Sequence, residues 1–344
     1  MGRQTTLEEL GEFGLISRIT DQFRALQKPS TVLGVGDDCA VLEKDAETYT
    51  VITTDLLMEG IHFDLSFTPL KHLGFKSVTV NLSDVVAMNA IPESITVSIA
   101  VSAKFTVEAI EELYEGIRLA CETYNIDLIG GDTSASLTGL AISVTAIGSV
   151  AKNEIVYRNT AQKNDLICVT GDLGASYSGL QVMQREQTVF EQTGGAQPQL
   201  DGYEYVLERY LKPEARKDII EELRKHSILP TAMIDVSDGL SSELFHICMQ
   251  SKVGCQIYEE KIPIHAETSQ TVSEFEVEPI IPALNGGEDY ELLFTVPLDA
   301  YDEVSKIKGV AVIGNIVEQE KSLSMISRSG DRVTLKAQGW NTFE

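Results

Sequence analysis

Short apolar segments that end in acidic residues, most of them beside glycine, recur along the whole chain and constrain its fold more than any other feature. Glycine permits a tight turn and a close ligand approach, and an acid at a strand end can hold a cation. Each segment alone is weak evidence, because aspartate and glycine are ordinary turn residues. The acidic ends of the four segments are residues 36–38, 53–55, 130–132 and 286–289. Together they predict strands whose ends bring several carboxylates close to one another.

The spacing of apolar residues predicts a mixed α/β chain with hairpin-like strand neighbours rather than strict strand-helix alternation. A polar stretch over residues 151–164 indicates a connection between two domains, residues 1–151 and 152–344. Residues 187–202 are rich in polar residues and glycine, which predicts an exposed excursion. Helices are predicted over residues 7–26, 70–90, 107–124, 202–210 and 215–225 and from about 237, and strands over 49–54, 94–101, 127–129, 140–150, 166–170, 290–296 and 310–316.

A serine-aspartate pair is predicted at a helix start in each half of the chain. The pairs are Ser83-Asp84 and Ser237-Asp238. If the two halves are related and face each other, both acids lie near one cleft. Serine and aspartate are also common helix N-caps, so one pair alone has a simpler explanation.

The net charge of −25 limits the partners of the chain. It argues against direct binding of nucleic acid or an anionic membrane, because both are negatively charged. A carboxylate-rich site can hold a triphosphate only if divalent cations lie between the two sets of negative charge. No apolar run approaches the roughly 20 residues that span a bilayer, and acidic residues near the start replace a signal peptide's apolar stretch. We therefore expect a cytoplasmic protein.

Several catalytic motifs are absent from the sequence. The five cysteines form no C-x-x-C pair, so neither a zinc site nor a disulfide framework is indicated. The chain has no Walker A motif and no protein-kinase motif set. It also lacks a dinucleotide fingerprint, a G-x-S-x-G elbow and an H-E-x-x-H pair. Any phosphate chemistry must therefore come from another architecture.

The acidic segments belong to a longer series of motifs that resembles the thiamine-monophosphate kinase family. This family lies within the aminoimidazole ribonucleotide synthetase-like superfamily. The motifs occur in the family's order and span nearly the whole chain. They are Gly36-Asp37-Asp38-Cys39-Ala40, Thr53-Thr54-Asp55, Glu59-Gly60-Ile61-His62-Phe63, Asn81-Leu82-Ser83-Asp84, Leu128-Ile129-Gly130-Gly131-Asp132-Thr133, Val169-Thr170-Gly171, Ile234-Asp235-Val236-Ser237-Asp238-Gly239-Leu240 and Gly286-Gly287-Glu288-Asp289-Tyr290-Glu291-Leu292.

The resemblance implies a fold, an assembly and ligands. It implies an α/β (α+β) fold of two domains, in which the N-terminal domain forms a dimeric β-structure and the C-terminal α/β domain completes the cleft. ATP would be the co-substrate, several Mg²⁺ ions the cofactors, and the protein a homodimer. The implied metal ligands are Asp38, Thr53, Thr54, Asp55, Asp84, Asp132, Asp235 and Asp238. The implied ATP contacts are Tyr124, Gly131, Asp132, Arg158 and Ser237, and the implied substrate contacts are His62, Glu288 and Trp340.

Some of these assignments also have simpler structural explanations. His62 would serve equally as a partly buried capping group, Arg158 as a surface ion pair, and Trp340 as an anchor for the C-terminus. The implied reaction is direct in-line transfer of the γ-phosphoryl group of ATP to thiamine monophosphate. It needs no covalent catalytic residue, because the acceptor phosphate is already ionised. The alternatives are a related ATP-dependent synthetase and a non-catalytic Mg-nucleotide binding protein.

Overall fold

The computed structural model describes residues 6–319 and 322–336, which form two sheets and ten α-helices. The first sheet contains β1 (Thr31–Leu33), β2 (Ala40–Glu43), β3 (Thr48–Met58), β4 (Ile91–Ser102), β5 (Asp127–Ser136) and β6 (Leu140–Ala151). The second contains β7 (Leu166–Thr170), β8 (Ala232–Asp235), β9 (Gly254–Tyr258), β10 (Leu292–Val296), β11 (Val310–Val317), β12 (Leu323–Ile326) and β13 (Arg332–Thr334). The helices are α1 (Leu7–Thr20), α2 (Leu70–Ala87), α3 (Val107–Tyr124), α4 (Ala175–Thr193), α5 (Glu204–Leu211), α6 (Lys217–Lys225), α7 (Leu240–Ser251), α8 (Ala266–Glu274), α9 (Ile280–Asn285) and α10 (Tyr301–Val304).

Both sheets are mostly antiparallel. The strand order is β1-β2-β3-β6-β4-β5 in the first and β13-β12-β9-β11-β7-β10-β8 in the second. The parallel pairs are β4 with β5 and β9 with β12. β6 alternates between buried and half-buried residues along its whole length, as expected for a central strand with one face on the core. This arrangement confirms the predicted mixed α/β fold.

The helix α2 lies at the centre of the molecule. Nearly every residue from Leu73 to Ala87 is buried, although several of them are polar. α2 packs against α3 at two glycines. A Cβ atom on Gly74 would lie 2.0 Å from the carbonyl oxygen of Leu113, and one on Gly116 would lie 1.9 Å from that of Lys71. Only glycine permits so close an approach of the two helices.

β5 is an edge strand, and almost all of it is exposed. It pairs only with β4 within the first sheet. Its residues from Asp127 to Ala135 are exposed, including 43% of Leu128 and 59% of Ile129. The strand therefore presents unpaired backbone groups and apolar side chains together.

The structure corrects three sequence-based predictions. Ser83-Asp84 lies near the end of α2, not at a helix start, because the apolar pattern continues through it to Ala87. Residues 187–193 are helical and extend α4, so the predicted excursion shortens to the stretch before α5. Several apolar residues of the first predicted helix are exposed, and Gly11 (φ +63°) interrupts α1.

The domain boundary near residue 151 stays a prediction. The sheets separate there, yet one cluster of buried apolar side chains includes residues from both halves, such as Val41 and Phe294. Among the described residues, no helix is both long and apolar enough to cross a bilayer.

Candidate active site

Three aspartates from separate elements meet where the two halves of the chain join. Asp38 lies in the turn before β2, Asp84 near the end of α2, and Asp235 at the end of β8. One carboxylate oxygen of each lies within 4.8 Å of those of the other two. Asp38 and Asp235 are buried and Asp84 is half-buried. We call these three residues the acidic cluster.

Hydroxyl groups hold two carboxylates of the acidic cluster in place. Thr53 Oγ1 donates to Asp84 Oδ2 at 2.6 Å, and Ser83 Oγ donates to Asp235 Oδ2 at 2.6 Å. The backbone N–H of Asp55 donates to Asn81 Oδ1 at 2.9 Å, which ties β3 to α2. The carboxylates are therefore positioned by residues of the surrounding strand and helix.

A buried carboxylate oxygen of Asp38 lacks a hydrogen bond within the described part of the chain. Asp38 Oδ2 is buried and accepts no hydrogen bond from any described residue. A buried polar atom of this kind costs free energy unless a ligand satisfies it. Carboxylate oxygens are the ligands that Mg²⁺ prefers, so the donor set fits a divalent cation.

Burial and mutual repulsion make the ionised cluster costly. Burial, followed by the charge of Asp38, raises the pKa of Asp235 to about 7. Burial raises the pKa of Asp55 to about 6. Burial and the charges of Asp55, Asp235 and Asp38 raise the pKa of Asp84 well above its ordinary value. A cation between these groups would favour their charged forms.

Arg158 lies directly beside the acidic cluster. Its Nη2 donates to Asp38 Oδ1, and its Nε lies 3.6 Å from Asp37 Oδ1. The backbone N–H of Arg158 donates to Asp37 Oδ2 at 3.1 Å, and that of Asp38 donates to Asp37 Oδ1 at 3.0 Å. Arg158, with 19% of its side chain exposed, is thus a partly buried ion-pair partner rather than a surface one, and Asp37 holds the turn on which Asp38 sits.

A cavity of about 470 Å³ contains several of the predicted ligand contacts. His62, Ser237, Asp238 and Glu288 all line it. His62 Nδ1 accepts the backbone N–H of Met58 at 3.0 Å, which places the proton of the neutral ring on Nε2. The structure therefore brings predicted metal, nucleotide and substrate residues around one space.

The segment before β10 reaches this cavity through a strained turn. The backbone N–H of Glu288 donates to the carbonyl oxygen of Ser237 at 2.6 Å. Gly287 has φ +69°, and a Cβ atom there would lie 2.5 Å from the same oxygen. Glu288 itself has φ +57°, a conformation that L side chains rarely adopt. Such strain often marks a functional segment.

Other predicted site residues lie on strands of the first sheet. Gly131 and Asp132 are on the exposed strand β5, and a Cβ atom on Gly131 would lie 1.8 Å from the carbonyl oxygen of Val97. Thr54 Oγ1 donates to the carbonyl oxygen of Val144 at 3.1 Å, within the first sheet. Trp340 lies outside the described residues.

The hydroxyl of Tyr124 already has a structural partner. It accepts the backbone N–H of Ala215 at 2.8 Å, and the residue is buried. Tyr114, on the same helix, is half-buried and lines a second cavity together with Thr133, next to Asp132. Both tyrosines lie on α3, and the resemblance implies an ATP contact only for Tyr124.

Sequence reasoning did not predict the contacts of three polar residues of α2, which are Lys76, Asn81 and Ser83. All three are buried within α2. Buried polar side chains normally have partners. Polar residues interspersed with valines and Leu82 in one predicted helix are the signal that could have identified them.

Three comparisons describe what the chain is similar to. The family model for the AIR synthase related protein, N-terminal domain, matches residues 36–150. The thiamine-monophosphate kinase of Bacillus subtilis (strain 168) is 34% identical over 344 residues, covering 97% of this chain and 100% of that protein. The thiamine-monophosphate kinase of Aquifex aeolicus (strain VF5) is 34% identical over 321 residues, covering 91% of this chain and 97% of that protein. A solved structure of AaThiL complexed with AMPPCP and TMP has 32% sequence identity and a TM-score of 0.84, covering 99% of this chain and 100% of that chain.

Proposed function

Because the chain belongs to the thiamine-monophosphate kinase family, and so phosphorylates thiamine monophosphate with ATP, we propose that Asp38, Asp84 and Asp235 hold Mg²⁺ for this reaction. The observation that carries the proposal is the approach of three carboxylate oxygens to within 4.8 Å of one another. The buried oxygen Asp38 Oδ2, which has no hydrogen-bond partner among the described residues, supports it further. Bound Mg²⁺ would neutralise phosphate oxygens next to the carboxylates.

The reaction gives thiamine diphosphate and ADP, and it requires little covalent chemistry from the protein. The acceptor phosphate is already ionised, so no general base has to activate it. The main tasks are to hold the acceptor oxygen in line with the γ-phosphoryl group and to offset negative charge. Arg158 supplies a fixed positive charge beside Asp38 for the second task. We propose direct transfer without a phosphorylated enzyme.

The cavity of about 470 Å³ is the proposed acceptor site. Its volume falls within the usual range for small-molecule sites, about 300–1,000 Å³. His62 and Glu288 line it and are proposed to contact the thiamine part, together with Trp340. Ser237 lines the same cavity and is proposed to contact ATP, so the two substrates would meet there.

The remaining site assignments are also proposals. Thr53 donates to Asp84 and Asp55 lies close enough to raise the pKa of Asp84, which supports their inclusion in the metal site. Thr54, Asp132 and Asp238 complete the proposed metal ligands. Tyr124, Gly131, Asp132 and Arg158 complete the proposed ATP contacts.

We propose a homodimer in which β5 contributes to the interface. The strand is an exposed sheet edge with Leu128 and Ile129 at the surface. Such an edge attracts another strand unless it is covered. We also propose that the chain has two domains, residues 1–151 and 152–344. We propose a cytoplasmic location, where ATP is abundant.

The similarity to named kinases over nearly the full chain favours a kinase over a related synthetase. Turnover of thiamine monophosphate separates it from a non-catalytic binding protein. The metal proposal is tested with Mn²⁺ as a probe, read by electron paramagnetic resonance, in the parent protein, Asp84→Asn and the control Asp302→Asn. Asp302 is exposed and lies on α10, so its variant removes the same charge elsewhere. We expect Asp84→Asn alone to weaken Mn²⁺ binding, and equal binding by all three proteins would refute the metal site.

A further inference from the structure

Lys76 is a buried charged residue that the phosphoryl-transfer chemistry does not itself require. It lies in the second turn of α2, and only 5% of its side chain is exposed. Lysine is almost never buried unless it is paired. Its position therefore calls for a specific partner.

The ammonium group of Lys76 joins three separate elements. Nζ donates to Glu288 Oε2 at 3.0 Å and to the carbonyl oxygen of Tyr210 at 3.2 Å. It also lies 4.5 Å from the centre of the Tyr210 ring. α2, α5 and the segment before β10 are thereby tied together at one charged atom.

The partner of Lys76 is the residue that presents a carboxylate to the cavity. Glu288 lines the cavity, and 31% of its side chain is exposed. Oε2 is occupied by Lys76, whereas Oε1 accepts no hydrogen bond from the described part of the chain. One oxygen is therefore anchored while the other remains available to a bound molecule.

The same face of α2 also supports the acidic cluster. Seven residues make almost two full helical turns, so Lys76 and Ser83 lie on one face. Ser83 donates to Asp235 in the cluster, as Lys76 donates to Glu288 in the cavity. One helix thus aligns the acceptor cavity with the carboxylates proposed to hold the metal.

From these contacts we infer that Lys76 is a positioning residue that fixes the Glu288 carboxylate for binding the thiamine part of the acceptor. The inference rests on the proposed function, in which Glu288 contacts that part. Without Lys76 the carboxylate would lose its anchor and its charged partner, and Oε1 would no longer be held in one place. The nucleotide and the acidic cluster would keep their own contacts.

The test is a double-mutant cycle with Lys76→Met and Glu288→Gln, in which kcat and the KM for each substrate are measured. Lys76→Met should raise the KM for thiamine monophosphate about tenfold, since a hydrogen bond to a charged group is lost. The KM for ATP should change less than about twofold and kcat little. The double variant should have a KM for thiamine monophosphate no higher than Glu288→Gln alone, because Lys76 acts through Glu288.

Two further variants make the test decisive. Lys71→Met removes the same charge from an exposed position on the same helix and should match the parent protein. Lys76→Gln removes the charge while keeping a donor for the Tyr210 carbonyl, and it replaces Lys76→Met if that variant fails to fold by circular dichroism. It should show the same rise in the KM for thiamine monophosphate.

The possible results separate the inference from the function on which it rests. A parent protein without turnover would refute the kinase function. An unchanged KM for thiamine monophosphate in Glu288→Gln would refute the role of Glu288. If the parent protein turns over and Glu288→Gln raises the KM for thiamine monophosphate, two results would overturn the role of Lys76 alone. One is an unchanged KM for thiamine monophosphate in the Lys76 variants. The other is a double variant in which the effects of the two substitutions on that KM add.

Discussion

Replacing Asp235 by asparagine should stabilise the protein in the absence of divalent cations. Burial and the charge of Asp38 raise the pKa of Asp235 from 3.8 to about 7. Between these pH values the folded protein retains a proton that the unfolded chain has released. The free energy of unfolding therefore falls as the pH rises from about 4 to about 7, and this loss persists at higher pH.

The size of the effect follows from the same pKa values. A pKa of about 7 against 3.8 corresponds to a penalty of about 4 kcal/mol at pH 8. Asparagine removes that penalty but weakens the hydrogen bond from Ser83, which costs about 2 kcal/mol. The net gain is about 2 kcal/mol, or about 3 °C in Tm for a chain of this length. At pH 5, where Asp235 is largely protonated, the gain should nearly vanish.

The assay is thermal unfolding at pH 5 and pH 8, in EDTA and in millimolar Mg²⁺. The parent protein should gain stability from Mg²⁺, because binding to the folded state shifts the equilibrium. The Asp235→Asn protein should have a higher Tm than the parent protein in EDTA at pH 8, and Mg²⁺ should raise that Tm only a little. Asp302→Asn, the exposed control, should behave as the parent does. An Asp235→Asn protein that is less stable in EDTA at pH 8, or that still responds fully to Mg²⁺, would refute the reasoning.

Three other substitutions have distinct expected outcomes. Arg158→Met should raise the KM for ATP about tenfold in a coupled ADP-release assay, because a fixed charge beside Asp38 is lost; an unchanged KM would contradict that role. His62→Asn should raise the KM for thiamine monophosphate and not that for ATP, and the reverse pattern would count against the cavity as the acceptor site. Ile129→Glu should shift the protein from dimer to monomer in analytical ultracentrifugation, because a charge enters the exposed edge strand β5. Val333→Glu, on the exposed edge strand β13, is its control, and an equal effect of both would argue against β5 as the interface.

Local patterns predicted several elements well. The bounds of α3, Val107–Tyr124, were predicted because its apolar spacing is helical, and the structure adds a Thr106 side-chain cap and a left-handed Asn125 at its ends. β7 was predicted because five consecutive apolar or β-branched residues form a buried strand. The strand predicted over residues 127–129 was too short, because the glycines and polar residues that follow look like a turn.

Local sequence patterns could not predict the contacts within the site. Ser83 bonds to a carboxylate 152 residues away, and Lys76 bonds to one 212 residues away. The periodicity of apolar residues within one helix or strand does not predict partners so far away in the sequence. The acids of the cluster were identified because their motifs resemble a family, whereas the meeting of Asp38, Asp84 and Asp235 is a property of the fold.

The measurement that tests the central claim most directly is the conversion of thiamine monophosphate to thiamine diphosphate by the parent protein and by Asp84→Asn, with ATP and increasing Mg²⁺. We predict turnover in the parent protein that requires Mg²⁺, and near-complete loss of turnover in a folded Asp84→Asn variant. Turnover that is independent of Mg²⁺, or that Asp84→Asn retains in full, would contradict the assignment of the acidic cluster as the catalytic metal site.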